Sequence, residues 1–146
     1  MSAALIRPAS PADYSGLLAL LDEAGLPKDD LTGARLDGFL VLARGGRLEG
    51  AVGLERYGPV ALLRSLAVAA KLRGAGMGRR LVDALETRAR EAGVEQLWLL
   101  TTTADGFFAR LGYARADRAD APDAIRGSSE FAGLCPASAI CMTKRL

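Results

Sequence analysis

The chain has no histidine among its 146 residues. That removes the commonest general acid–base side chain and every histidine-dependent triad. Proton transfer, if the chain performs any, falls to a carboxylate or a chain of water molecules. Cysteine is scarce too. Cys135 and Cys141 are the only two, too few for a disulfide framework, and two thiols with scattered carboxylates do not make a zinc site, so no metal is expected. Aromatic residues make up 5% of the chain and the net charge is +2, from 19 basic and 17 acidic side chains. With no basic stripe, that composition argues against a nucleic-acid partner. No apolar run approaches the ~20 residues that would span a membrane, and no long apolar run follows Arg7 as a signal peptide requires. The expected compartment is the cytoplasm. What is present is ordinary globular material: half of the residues are hydrophobic and a quarter charged. Residues 1–146 are expected to form one domain, burying roughly two-thirds of the unfolded surface.

Leu5 to Arg7 reads as a short strand. Ser10 then caps a helix with Pro11 in its first position, and Tyr14, Leu17, Leu18 and Leu21 stripe one face until Gly25 ends it. Leu26 to Leu31 reads as the opening of a second short helix, ending near Gly33 to Leu36. Gly38 to Ala43 and Leu48 to Tyr57 flank the turn Arg44-Gly45-Gly46-Arg47 as a hairpin. Gly50 and Gly53 inside the second strand indicate a bulge or a close backbone approach. Val60 to Val68 is a long apolar strand broken only by Arg64 and Ser65, as a central buried strand would be. The most regular helix starts at Gly76 or Met77, carries Leu81, Leu85, Ala89 and Ala92 one turn apart, and stops at Gly93. A buried strand over Glu95 to Leu100 follows, then a short helix over Asp105 to Leu111 capped by Thr102 or Thr103. A strand through Ala116 comes next, then a polar, loop-like stretch from Asp117 to Gly133, and a last strand over Ser138 to Lys144. This order predicts an α/β fold with one mixed, mostly antiparallel central sheet flanked by helices.

The strongest local signal lies where the central strand ends. Leu66-Ala67-Val68 runs into Arg73-Gly74-Ala75-Gly76-Met77-Gly78-Arg79-Arg80 and straight on into the amphipathic helix. The N–H groups of a first helical turn have no intrahelical acceptor. Glycines let backbone close around a phosphate, the helix start favours negative charge, and nearby arginines add charge-assisted contacts. The loop lacks the Gly-Lys-Ser/Thr ending of a nucleoside-triphosphate loop and the spacing of the dinucleotide fingerprint.

Arg73-x-x-Gly76-x-Gly78 resembles the coenzyme A pyrophosphate signature of the GNAT N-acetyltransferases. Phe107-Phe108-Ala109-Arg110-Leu111-Gly112-Tyr113 resembles the second hallmark of that superfamily, and the order of segments is similar over nearly the whole chain. The resemblance implies acetyl-CoA as acetyl donor, a small-molecule amine as acceptor and a homodimer. It implies that Leu66, Ala67 and Val68 face the pantetheine arm, that backbone N–H groups of Arg73, Gly74, Ala75, Gly76, Met77, Gly78 and Arg79 hold the pyrophosphate, and that Phe107, Phe108 and Arg110 flank the other side. A finer resemblance covers Leu99 to Ala104, Phe107-Phe108, Arg118 to Pro122, Ile125-Arg126, Ser129-Glu130-Phe131 and Leu134 to Ala139. These segments look like a subgroup of arsenic-resistance N-acetyltransferases, which implies an arsenic- or phosphorus-containing amino acid analogue as acceptor.

On that reading the Val68 N–H stabilises the carbonyl oxygen as charge develops, and Glu55 is the first candidate for general base with Glu130 the second. Many members carry tyrosine where this chain has Phe108, so the phenol that protonates the departing thiolate is missing. Tyr113 matches a core aromatic. Arg126 foremost, then Arg64 and Arg56, offer a planar fork to a carboxylate, phosphinate or arsenical group, and Ser129 or Ser128 can bring a water. Direct binding of arsenic by Cys135 or Cys141 has little support, since small buried cysteines are common in apolar strands. The alternative from another class is a non-catalytic acetyl-CoA sensor, and the Phe108 departure is what favours it.

Overall fold

A computed structural model describes residues 4–146, apart from the side chains of residues 33–35. The chain runs β1 (Leu5–Pro8), α1 (Tyr14–Glu23), β2 (Phe39–Arg44), β3 (Arg47–Tyr57), β4 (Val60–Val68), α2 (Met77–Glu91), β5 (Gln96–Thr101), α3 (Asp105–Arg110), β6 (Ala114–Arg115), α4 (Asp123–Arg126) and β7 (Ile140–Arg145). The strands form one sheet in the order β1-β2-β3-β4-β5-β7-β6. Neighbours are antiparallel except β4 and β5, which α2 joins as a parallel crossover. The expected mixed, mostly antiparallel sheet with helices on both faces is present. Among the described residues no helix is long and apolar enough to cross a membrane.

Strand alternation divides the core into layers. Leu40 and Leu42 of β2 pack with Leu81, Val82, Leu85 and Ala89 of α2, whereas their neighbours Phe39 and Val41 pack with Leu17, Leu20 and Leu21 of α1. Each buried leucine contributes about 1.5–3 kcal/mol, so these two stripes fix both helices to the sheet. A third cluster joins Leu62 and Trp98 to Ala121, Ile125 and Phe131 from the segment between β6 and β7.

Ser10 stands at the N-cap with Pro11 after it, as expected, of a 3-10 turn over Pro11–Asp13 that leads into α1. The Asp13 carboxylate accepts the Ser10 N–H at 2.7 Å and is gripped by Arg7 at 2.7 and 3.0 Å. Three local expectations change. Residues 26–31 form no helix, and the helical element between α1 and β2 is a 3-10 turn over Gly33–Gly38. Leu31 is drawn into the α1 layer instead, where its carbonyl accepts the Tyr14 hydroxyl at 2.8 Å. Ahead of α3, Thr101 rather than Thr102 or Thr103 supplies the hydroxyl, accepting the Ala104 N–H at 3.0 Å. The stretch taken for a loop, Asp117 to Gly133, holds a 3-10 turn over Arg118–Asp120, then α4, then a wide helical turn over Glu130–Leu134. Its buried Ala121, Ile125 and Phe131 cover the end of the sheet, which a polar average hides.

Candidate active site

β4 and β5 pair over only three positions, Val60 with Gln96, Ala61 with Leu97 and Leu62 with Trp98. Beyond them β4 stays with β3 as far as Val68, and β5 stays with β7 as far as Thr101. The two strands therefore diverge. A bulge marks the divergence. Between the pairs Gly53–Arg64 and Ala51–Ala67, β4 has two residues, Ser65 and Leu66, against the single Val52 of β3. Ser65 takes up the extra length at φ 59°, the left-handed region that costs a non-glycine residue about 1–2 kcal/mol.

The opening is a cleft of about 720 Å³ with Leu63 to Val68 on one wall and Leu99 to Ala104 on the other. Ala69 N–H donates to the Glu49 carbonyl at 2.8 Å, so Ala69 and Glu49 are a bonded pair of the antiparallel ladder. Successive residues of a strand face opposite edges. The Val68 N–H is thereby directed away from β3, toward the opening.

At one end of the cleft lies the glycine loop. Gly74 and Gly76 have φ of 86° and 79°, with open space where a Cβ would stand. They are glycine for the backbone angle, which brings the chain around into α2. The first α2 amide to bond back is Arg80, to the Gly76 carbonyl at 3.2 Å. The N–H groups of Met77, Gly78 and Arg79 precede it and point out of the helix end. Gly78 is small for a different reason: a Cβ there would lie 3.2 Å from the Phe107 ring of α3. Two of the expected donors are committed elsewhere, because the Arg73 N–H donates to the Ala70 carbonyl at 3.3 Å and the Ala75 N–H to the Leu72 carbonyl at 3.2 Å; what an anionic pyrophosphate would meet is the helix start at Met77 to Arg79. Arg73 lines the cleft beside it. Arg79 is 70% exposed and sits 3.9 Å from Asp83, and Arg110 is exposed on α3.

Phe108 is buried and lines the cleft, edge-on to Phe107 at 5.1 Å and to Tyr113 at 5.4 Å between ring centroids. The Tyr113 hydroxyl turns away to Glu86, donating at 2.8 Å, and Lys144 closes on the same carboxylate at 3.0 Å. Burial, then the Glu86 charge, push this phenol far above its ordinary range, so it stays protonated inside the core.

The other end is built from charge. The Arg64 side chain is 1% exposed. It donates to both Asp30 oxygens at 2.5 and 2.9 Å, to Glu55 at 2.7 Å and to the Ser65 hydroxyl at 2.9 Å, and its Nε lies 3.5 Å from Glu130. Burial opposes its charge, but its hydrogen bonds to Asp30 and Glu55 and the charges of Glu130 and Asp30 raise its pKa further. The sequence suggested Arg64 as a fork for an acceptor group; the structure gives that fork three carboxylates of its own chain. Glu55 is held by Arg64 and by the Tyr57 hydroxyl at 2.8 Å, and it borders a separate hollow with Leu31 and Phe39 rather than the cleft. Glu130 does line the cleft. Burial pushes it up to about 7, with Glu55 and Asp30 adding to the rise against the opposing pull of Arg64. Cys135, also on the cleft wall, donates to Glu130, and burial followed by the Glu130 charge pushes the thiol up to about 12.

Arg126 is exposed on α4, pairs with Asp123 and does not border the cleft, nor does Arg56. Ser129 is half-buried next to Glu130, and Ser128 is buried with its hydroxyl on the Ile125 carbonyl at 2.6 Å. Asp30, Ser65 and Cys135 belong to the charged end and were not singled out as site residues by sequence. The interruption of an apolar strand by Arg64-Ser65 was the one signal pointing there.

A sheet that parts between two parallel strands, with a glycine-loop helix start beside the parting, is the architecture of acetyl-CoA-dependent acyl transfer. Residues 10–113 match the acetyltransferase (GNAT) family, and the chain belongs to that family. It is 29% identical over 126 residues to the amino-acid acetyltransferase of Ralstonia nicotianae, covering 81% of this chain and 28% of that one. An uncharacterised N-acetyltransferase of Chlorobaculum tepidum is 35% identical over 88 residues, 60% of this chain and 56% of the other. The chain thus spans under a third of the length of the amino-acid acetyltransferases it matches. Among solved structures, N-acetylglutamate synthase from Neisseria gonorrhoeae, complexed with coenzyme A and N-acetyl-glutamate, superposes with a TM-score of 0.85 at 24% identity, over 100% of this chain and 36% of that chain. The protein Rv2747 of Mycobacterium tuberculosis, in complex with CoA, superposes at 0.82 with 21% identity over 97% and 99%.

Proposed function

We propose that this chain transfers the acetyl group of acetyl-CoA to the amino group of a small molecule. One observation carries the reading: a single cleft is bordered by the Val68 edge of the parted strand, by Arg73 at the start of the glycine loop and by the buried carboxylate of Glu130. Bound acetyl-CoA supplies the reactive thioester. The amides at the helix start and Arg73 hold its phosphates, and the Leu66–Val68 edge aligns the arm. The Val68 N–H stabilises the carbonyl oxygen, worth about 3 kcal/mol for a well-aimed donor. Of the two carboxylates named from sequence, Glu130 rather than Glu55 takes the amine proton, because Glu130 borders the cleft and Glu55 does not. The acceptor is an amino acid or a close analogue, as the amino-acid acetyltransferase relatives favour; the arsenic- or phosphorus-bearing analogue is the narrower form of the same proposal. Pairing of two copies is part of the reading and is checked by sedimentation velocity.

The test is release of free thiol from acetyl-CoA against amino acids, their phosphinate and arsenical analogues, and polyamines. Turnover on an amine supports the proposal. Tight acetyl-CoA binding without turnover on any of them supports the second reading, a sensor that binds the donor and transfers nothing, which the Phe108 ring in place of a phenol favours.

A further inference from the structure

No phenol near Phe108 is placed to protonate a leaving sulfur. The Phe108 ring has no proton to give. The Tyr113 hydroxyl is spent on Glu86 inside the core. Glu130 is the only carboxylate on the cleft wall among the described residues. It is 3% exposed, yet Arg64 reaches it only at 3.5 Å, because the rest of that guanidinium is taken by Asp30 and Glu55. Glu130 is held by this long ion pair and by the Cys135 thiol.

We propose that Glu130 carries one proton in two directions, accepting it from the acceptor nitrogen and returning it to the departing sulfur, so that a single carboxylate replaces the base and the phenol together. The inference rests on the acetyl-transfer reading above. The neutral amine forms a C–N bond to the thioester carbonyl, and the nitrogen of the adduct gives one proton to the Glu130 carboxylate. The C–S bond breaks with its electron pair going to sulfur. Glu130 hands the same proton to that thiolate and is a carboxylate again, leaving amide and free thiol.

The electrostatics agree with that traffic. Burial raises Glu130 to about 7, with Arg64 of β4 opposing, Glu55 of β3 and Asp30 of the segment after α1 reinforcing, and the Cys135 thiol of its own segment opposing. A carboxylic acid near 7 is stronger than an ordinary thiol near 8.5, so the return to sulfur runs downhill. Cys135, pushed up to about 12, is a weaker acid than the thiol being released and cannot serve as donor.

The experiment is the pH dependence of kcat at saturating acetyl-CoA and amine. Wild type should show one ascending limb near pH 7 and then stay level to about pH 9.5, since only the ionised carboxylate is needed at the start and the proton for sulfur arrives with the amine. Glu130→Gln should lose the limb and at least about 100-fold in kcat, with acetyl-CoA affinity by calorimetry within twofold. Cys135→Ala, a second variant, should keep the limb but move it to higher pH, because a donor that stabilises the carboxylate is gone. A descending alkaline limb in wild type overturns the return step, revealing a separate acid and leaving Glu130 as base only. An ascending limb that survives Glu130→Gln overturns both roles. Absence of thiol release with every amine sinks the acetyl-transfer reading itself, an outcome distinct from the other two.

Discussion

The two ends of the cleft are made of different materials. The donor end is backbone: outward amides at a helix start, two glycines at positive φ and exposed arginines around them. The acceptor end is side chain: one buried arginine with Asp30, Glu55 and Glu130, drawn from three separate parts of the chain. A backbone site tolerates change around it and fails when the backbone angle fails. A charged side-chain site hangs on its shared cation, because removing Arg64 leaves the carboxylates buried and unpaired.

The largest expected effect is at the acceptor end. Arg64→Met leaves three carboxylates without their cation and should cost about 3–5 kcal/mol of stability, read by chemical denaturation; a loss under 1 kcal/mol would mean the cluster is solvated and the contrast between the ends is false. Next is Gly76→Val, which puts a β-branched residue at φ 79°. It should weaken acetyl-CoA binding by more than tenfold, about 1.4 kcal/mol, with the melting temperature lowered only modestly. Calorimetry showing unaltered affinity would remove the loop from the donor site.

Glu130→Gln should also alter stability, and with a definite sign. The carboxyl binds its proton more tightly folded, at about 7, than unfolded, at 4.5. The folded state therefore holds more protons between those values, and stability falls as pH rises through the window. The variant should melt higher than wild type above pH 7 and lose that advantage toward pH 4.5. Equal melting temperatures at pH 8 would contradict the burial argument. Glu55→Gln should change kcat by less than about threefold, since Glu55 does not border the cleft; a loss comparable to that expected for Glu130→Gln would restore it as the base. The smallest effect is at Arg79, exposed and loosely paired. Arg79→Ala should leave stability within about 0.5 kcal/mol and weaken acetyl-CoA binding a few-fold at low salt, the difference fading as salt is added.

The same contrast explains what sequence could disclose. The donor end is contiguous, and its glycines, strand and helix follow one another, so residues 66 to 79 carry their own meaning. The sheet was legible for a similar reason, since strand alternation and the α2 stripe are local periodicities. The acceptor end brings together residues 30, 55, 64, 130 and 135, whose proximity depends on the register of β3 on β4 and on how the segment after β6 folds over the sheet. That segment has a polar composition, and its three anchors Ala121, Ile125 and Phe131 are too sparse for a periodic signal. Arg64 looked available because its partners lie 34 positions upstream, nine upstream and far downstream.

The bulge at Ser65 has a consequence for hydrogen exchange. It leaves the end of β4 bonded to β3 through alternate amides, with Ala69 engaged and Val68 facing the parting. Opening a bonded ladder amide takes a local unfolding event, whereas an outward amide exchanges without one. In the ligand-free chain the Val68 amide should therefore exchange quickly beside a slow Ala69 amide. Acetyl-CoA should slow Val68 and leave Ala69 nearly unmoved, so that a single residue records whether the arm has been laid in the groove.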